Sequence, residues 1–430
     1  MQKRKLEKKK GISKTKKNIL NIKKEISDVD IGEDVFLKSS FSVFEVSIIT
    51  LIAILFGVII GYLINYTKAA SLNKNLNQIV TTYNKIVDNY YGDINEEKLS
   101  NAAIKGMVDS LGDPYSNYMD ADMASSFNQM IDGEFVGIGI VVSYTDDGNV
   151  INSVIKDSPS EKAGLKEGDI IVAVDDTDLL DAPSELLVSL IKGKIGTKVK
   201  ITVKRDNDTL NFNVKRANIT VSSISSDVYH SGGINIGYIK IDVFAANTAS
   251  QFSEALKSLE KENIGGLIID VRDNPGGHLT QTRKILSNFF DKKTVLYQIE
   301  TKGKKKKVYS MTNETRKYPV AILVNSASAS AAEVLAACFK DNYNNAIVVG
   351  ETSYGKGTIQ KSERLSNGTS IKYTTDKWLT SKGKSLNEVG IKPDYEVKLD
   401  YDLDLTFEND NQLQTALSNI RVVNEMKSAN

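Results

Sequence analysis

The sequence predicts a mixed α/β, multi-domain protein: an N-terminal transmembrane helix, a helical segment, an inserted β-rich module and an α/β core. Three observations carry that expectation. Val46 to Ile64, "VSIITLIAILFGVIIGYLI", runs nineteen residues without a charge, the length a helix needs to cross a bilayer. From Gly137 to about Asn218, short apolar runs are separated by Gly, Asp and Asn, the pattern of strands and turns. From about Ile234, apolar strands alternate with amphipathic helical stretches, the pattern of an α/β layer. With 430 residues, 41% apolar and 25% charged, the chain has room for two or three globular domains.

The first element is residues 1–45, a basic tail that carries 12 Lys/Arg against 7 Asp/Glu. The rest of the chain holds 43 basic and 47 acidic residues, so its body is mildly acidic and no nucleic-acid surface is expected. "MQKRKLEKKKGISKTKKNILNIKK" alone has eleven basic residues and one acidic. Positive flanks stay in the cytoplasm, which predicts a single-pass cell-membrane protein anchored through residues 46–66, N-terminus cytoplasmic and the remainder extracytoplasmic. No small-x-small cleavage site follows closely, so an anchor is expected rather than a removed signal. The single cysteine, Cys338, has no internal disulfide partner and sits in the apolar run "EVLAACF", as a buried small hydrophobe does.

Residues 71–130 read as helices. Ile79, Tyr83 and Ile86 recur at helical spacing, as do Leu99, Ala103 and Met107, and "LGDP" at Leu111–Pro114 breaks the pattern as a turn. Residues 135–218 form the β-rich module. There Gly137, Ile138, Gly139 and Ile140 ("GIGI") precede a strand, and "SPSEKAGLKEGDIIVAVDD" follows at Ser158–Asp176. Glycines let consecutive backbone N–H groups converge on a carboxylate, and an edge strand beside them accepts an added peptide strand. The longer run resembles a PDZ domain, which implies capture of a free C-terminus.

The core, residues 219–400, holds the candidate chemistry. "NSASASAAEV" at Asn325–Val334 offers Ser326, Ser328 and Ser330 where a strand hands over to a helix. One is a candidate nucleophile, against the plainer reading that small residues are there for close packing. A helix N-terminus favours an alkoxide and the oxyanion that follows it. "VVGETSYGKGTIQ" at Val348–Gln360 nearly matches a phosphate-binding loop, but Gly357 stands where Ser or Thr is needed and strands follow instead of a helix. Lys356 between its glycines suits a general base instead. A lysine of unperturbed pKa about 10.4 becomes a usable base when burial lowers that value. A catalytic histidine has two candidates, His230 in the turn "DVYHSGG" and His278 at a helix start after "DNPGG". "DVRDNPGG" at Asp270–Gly277 follows a buried strand, and its glycines can present N–H groups to an oxyanion, with Arg272 and Asp273 read as structural. "KGKKKK" at Lys302–Lys307 reads as a solvated loop or edge strand.

Taken together, "NSASASAAEVLAACFKD…AIVVGETSYGKGTIQ" resembles the active-site signature of the carboxyl-terminal processing peptidases, the tail-specific Ser/Lys endopeptidases of family S41. "NAAIKGMVDSLGDPYSNYM", "GEFVGIGI", "IGYIKIDVF" and "GIKPDYEV" also look like family segments, so the resemblance spans about residues 75–400. It implies a core of ClpP/crotonase-like type, a nucleophile at Ser330 with Ser328 as the alternative, a general base at Lys356, and a lysine-orienting Gln360. It also implies an oxyanion site from Gly276 or Gly277 with Ala331. Two departures are visible: Ala332 where the family has serine, and a loop "KDNYNNA" one residue longer. Neither touches the implied dyad.

The resulting expectation is a membrane-anchored serine endopeptidase that holds C-terminal tails of protein substrates at Gly137–Ile140. The alternative is a catalytically silent or partner-gated PDZ scaffold or sensor of the cell envelope, answering to a regulatory partner protein. No cofactor or metal is implied, since no His/Cys cluster suits zinc. Residues 401–430, an amphipathic extension, are expected to pair chains as a homodimer.

Overall fold

The computed structural model describes residues 42–70, 74–179, 182–400 and 406–428. Residues 1–41 of the basic tail and the first five residues of the C-terminal extension lie outside them. The chain divides into two units, Met1–Glu96 and Glu97–Asn430.

The first unit contains helix α1 (Val43–Ala70) and helix α2 (Lys74–Asn89). Within α1, Phe44–Gly61 is long and apolar enough to cross a membrane, and none of it is buried among the described residues. Ser42 and Glu45 cap its start reciprocally: Glu45 N–H donates to Ser42 Oγ, and Ser42 N–H donates to Glu45 Oε2. Helix α2 is amphipathic; its Tyr83 hydroxyl donates to Glu96 at 3.2 Å.

The second unit opens with α3 (Glu96–Asp109), strand β1 (Asn117–Met119) and α4 (Ala121–Asp132). Asp120 caps α4 by accepting from Met123 N–H, and Gly133 ends it in the left-handed conformation. The β-rich module follows: β2 (Glu134–Gly137), β3 (Ile140–Thr145), β4 (Gly148–Val154), α5 (Pro159–Ala163), β5 (Ile170–Val174), β6 (Thr177–Asp178), α6 (Ser184–Ile191), β7 (Lys198–Arg205), β8 (Asp208–Lys215) and β9 (Ala217–Thr220). Its sheet runs β3-β4-β5-β7-β8, so β3 is an edge. The alternation in "KVKITVKR" puts Val199, Ile201 and Val203 into a core of the module's own, with Ile138, Ile151, Ile171 and Leu187. The chain enters and leaves this module along the antiparallel pair β2–β9.

The remaining strands are β10 (Ile224–Ser231), β11 (Ile234–Ile241), β12 (Ile264–Asp270), β13 (Val295–Thr301), β14 (Lys304–Tyr309), β15 (Val320–Val324), β16 (Ala346–Gly350), β17 (Thr358–Arg364), β18 (Ser370–Leu379) and β19 (Tyr395–Glu396). The helices are α7 (Thr248–Lys261), α8 (Leu279–Leu286), α9 (Ala331–Asn342) and α10 (Asn411–Ser428). The main sheet runs β10-β11-β12-β15-β16-β19 and is parallel from β11 onward. Residues of α7, α8 and α9 cluster with one set of its side chains around Phe252, Ile285, Leu335 and Phe339. A second cluster joins Ile236, Ile268, Ala321, Leu323 and Val349 to Leu413, Leu417 and Ile420 of α10. A strand with both faces covered reads as a continuous apolar run, and β15, "VAILV", is buried at every residue. The extension expected to pair chains thus spends its apolar stripe on its own sheet. The lysine run Lys304–Lys307 forms the exposed edge strand β14 of a second, antiparallel sheet, β1-β18-β13-β14, with β17 on β18.

Candidate active site

Three segments converge at the C-terminal ends of β12 and β15, where ligands gather in parallel sheets. The first is the serine turn. β15 delivers Asn325, and the chain then bends into α9. Ser328 is fully buried; its hydroxyl donates to Val271 O at 2.7 Å and accepts from Asn325 N–H at 2.9 Å. That side chain stitches the turn to the end of β12. Ser326 is exposed. Ser330 is half-buried at the start of α9, with φ 54° and ψ −110°. A residue with a Cβ held at that φ is strained, and such strain collects where geometry is imposed for function.

Glu333, one turn into α9, is fully buried. Its Oε2 accepts from the N–H groups of Ser330 at 2.7 Å and Lys356 at 2.9 Å. Its Oε1 accepts from Ser353 Oγ and Gly355 N–H, both at 2.7 Å. Four donors satisfy one carboxylate, which offsets the cost of burying its charge. The same group ties Ser330 to the backbone of the lysine loop.

That loop is the second segment. Gly355 has φ 87°. A Cβ on Gly357 would stand 2.6 Å from Asn387, so only glycine fits there. Trp378, fully buried, donates its indole N–H to Lys356 O at 2.6 Å. The Lys356 Nζ lies 4.7 Å from the centroid of the Tyr115 ring. Burial holds Lys356 below the ordinary lysine value, helped by the charge of Lys372 and opposed by Asp113 and Glu333. Gln360, opposite a bulge at Thr375 of β18, donates its side-chain amide to Thr358 Oγ1 at 2.9 Å and Thr374 Oγ1 at 3.1 Å.

The third segment is Val271–Gly277. Asn274 is fully buried; it donates to Ile241 O at 2.7 Å, and its own O accepts Ala329 N–H at 2.9 Å. Gly276 and Gly277 have φ 105° and 135°. A Cβ on Gly276 would meet Ser330 Cβ and Ala329 O at 2.9 Å, so the glycine lets the loop close on the serine turn. Gly276 N–H donates to Asn274 Oδ1 at 2.8 Å. Of the two glycines, it is therefore Gly277 whose N–H makes no bond to the described residues, and Ala331 N–H at the first position of α9 is likewise unbonded. Behind the loop, Arg272 is buried between Asp270 at 2.6 Å and Asp410 at 2.8 Å, and Asp273 pairs with Asn325.

His278 opens α8, its N–H on Phe244 O, and the His230 ring pairs with Asn235 on the β10–β11 hairpin. Cys338 is fully buried and its thiol is pushed well up by that burial. In the β-rich module, Ile138 is buried and Gly139, φ 87°, packs on Ser158. The Ile138 carbonyl accepts from Ser160 N–H, and Gly139 O accepts from Ile155 N–H and Ser158 Oγ. The N–H groups of Ile138 and Gly139 have no acceptor among the described residues. β3 continues from them as the free edge, with Val141 exposed and α6, bearing exposed Leu186 and Val188, packed beside it.

Sequence reasoning passed over Glu333, Asp113, Tyr115 and Lys372. The spacing Ser330-x-x-Glu333 is a capping-box signal that points to Glu333. Tyr115 and Asp113 carry no local signal, because they meet Lys356 and Thr374 from more than 240 residues away.

Comparison with known proteins gives three family-model matches: peptidase family S41 over residues 235–397, a PDZ domain over 136–215, and the activating protease CtpB N-terminal domain over 64–123. The chain is 38% identical over 331 residues to carboxy-terminal processing protease CtpB of Bacillus subtilis, covering 76% of this chain and 68% of the relative. It is 37% identical over 334 residues to CtpA of the same organism, covering 77% and 71%. A solved photosystem II D1 C-terminal processing protease aligns with 72% of this chain and 84% of its own, at 24% identity and a TM-score of 0.44. The chain belongs to peptidase family S41, as a serine-type peptidase of the carboxy-terminal processing kind that carries a PDZ domain.

Proposed function

We propose that this protein is a membrane-anchored endopeptidase that cuts protein substrates with a Ser330/Lys356 dyad. The observation that carries the reading is the Glu333 carboxylate, which bonds the backbones of both residues at once. Neutral Lys356 takes the Ser330 proton as the hydroxyl attacks a peptide carbonyl. The N–H groups of Gly277 and Ala331 hold the oxyanion. The lysine then protonates the leaving amine and activates the water that releases the acyl group. The Val271–Gly277 loop at the end of a parallel strand supports a core of ClpP/crotonase-like type.

The PDZ domain takes the substrate's C-terminal tail. The N–H groups of Ile138 and Gly139 receive its carboxylate, and the tail adds to β3 as a strand. Helix α1 supports a single-pass anchor, and the basic tail before it supports a cytoplasmic N-terminus with the protease outside. The full chain in detergent, given casein, is expected to lose cleavage in Ser330→Ala and Lys356→Ala and to keep it in Ser328→Ala. Retained activity in Ser330→Ala sinks the reading. A free-carboxylate tail peptide is expected to compete for binding and its C-terminal amide is not.

A gated version of the same enzyme is favoured by one observation: the Gln360 amide is engaged by Thr358 and Thr374. Tail binding or a partner protein then completes the dyad. Saturating tail peptide in trans is expected to raise kcat for a second substrate; no change argues for a preassembled site.

A further inference from the structure

We propose that the Asp113–Ser116 turn is part of the peptidase's working site, with Tyr115 as a positioning residue that seats the Lys356 ammonium on its ring. The inference rests on the dyad reading above and deepens it. The turn precedes β1 and lies outside both the serine and the lysine segments. Its geometry is nonetheless built around the lysine.

Asp113 organises the turn. Its carboxylate accepts from Tyr115 N–H at 3.1 Å, Ser116 Oγ at 2.5 Å and Thr374 Oγ1 at 2.6 Å. Ser116 Oγ in turn accepts from Thr374 N–H at 3.1 Å. Thr374 also accepts from Gln360. The turn, β18 and the Gln360 side chain are thereby locked together, and the lock fixes the Tyr115 backbone. Burial works against the Asp113 charge, but these hydrogen bonds and Lys356 hold it below its usual value. It is an anion that is already saturated with donors.

The Tyr115 ring then meets Lys356 Nζ at 4.7 Å. A ring face attracts an ammonium through its quadrupole. It offers no carboxylate that would hold the lysine permanently charged. That suits a group that must give up its proton before attack, take one from serine, and wait as a cation for the leaving amine. The groups facing Lys356 are Tyr115 and Asp113 from the turn, Lys372 from β18 and Glu333 from α9. Lys372 stands on the same face of β18 as Thr374, its own Nζ 5.0 Å from the Phe127 ring. The Tyr115 phenol, pushed up to about 12 by burial first and then by Tyr354, Glu333 and Glu388, stays neutral through the working range.

The signs of the effects are opposite for the two neighbours. Removing the ring removes stabilisation of the ammonium, so the acidic limb of the kcat/KM profile moves to lower pH. Removing the Lys372 charge relieves repulsion, so the limb moves to higher pH.

The test is the pH profile of casein cleavage by the full chain in detergent, pH 6 to 10, for wild type, Tyr115→Leu, Tyr115→Phe and Lys372→Met. Tyr115→Leu is expected to shift the limb down by about half to one pH unit. Tyr115→Phe keeps the ring and is expected to keep the limb where the wild type has it. Lys372→Met is expected to shift it up. A limb unmoved in Tyr115→Leu overturns the inference, because a merely structural residue lowers activity at every pH alike. Should Tyr115→Leu fail to fold, Tyr115→Trp, a stronger cation-binding face, is expected to move the limb up, and no movement there overturns it equally. Ser330→Ala and Lys356→Ala run alongside: activity in either defeats the dyad reading and this inference with it, whereas silence in both with an unmoved limb defeats only the role of Tyr115.

Discussion

At Ser330 the backbone carries the strain and Glu333 sustains it. A φ of 54° on a residue with a Cβ persists only where its surroundings impose it, and the bond from Ser330 N–H to Glu333 is one such imposition. Glu333→Gln is the sharpest residue-scale test. An amide presents N–H groups to at least one of four donors, so the variant is expected to lose about 2 kcal/mol or more of stability. It should also lose most cleavage, as denaturant unfolding and casein assays will record. Ser328→Ala behaves differently. It strands Asn325 N–H and leaves Val271 O with Asn274 N–H as its donor, and is expected to cost about 1–3 kcal/mol while the chemistry survives. The choice between these serines was half legible in the sequence. A helix start and a family pattern pointed to Ser330, but that the Ser328 hydroxyl is committed to a strand 57 residues away is a tertiary fact. Lys356 stood out in the sequence as a candidate base because it lies between glycines. What depresses its charge is burial and Lys372, and neither is written near it in the chain. Its acidic limb is accordingly expected below the ordinary lysine value, activity rising with pH as the amine loses its proton.

At the scale of elements, the alternating and continuous apolar patterns translated directly into the β-rich module and the buried parallel strands. Period-2 alternation in β7 and the all-apolar β15 dictate one covered face and two, respectively. The C-terminal extension was harder to read. Its amphipathic stripe has two equally apolar destinations, another chain or its own sheet, and local sequence does not distinguish them. Asp410 marks the outcome: it caps α10 through Leu413 N–H and pairs with Arg272 behind the Val271–Gly277 loop. Asp410→Ala is expected to destabilise the protein by about 3 kcal/mol, since it leaves a buried guanidinium short of a partner. Gly276→Ala tests the loop itself. Its new Cβ would stand 2.9 Å from Ser330 Cβ, so the two must part. The expected result is a fall in kcat of about 100-fold or more, with KM changed far less.

For the molecule as a whole, the account is a chain of couplings: a tail held at the PDZ domain, the β2–β9 pair that joins this domain to the core, and a serine and a lysine bridged by one carboxylate. The proposed anchor adds an address. A protease applied outside intact cells is expected to digest the PDZ and catalytic regions and to spare an epitope placed before residue 42. The central claim is that Ser330 becomes acylated with Lys356 as its base. The most direct measurement is rapid acid quench of the full chain with a tail-bearing peptide ester, followed by mass mapping of the adduct. The account predicts an acyl group on Ser330 in the wild type and none in Lys356→Ala. An adduct on Ser328, or turnover with no adduct on either serine, would contradict it.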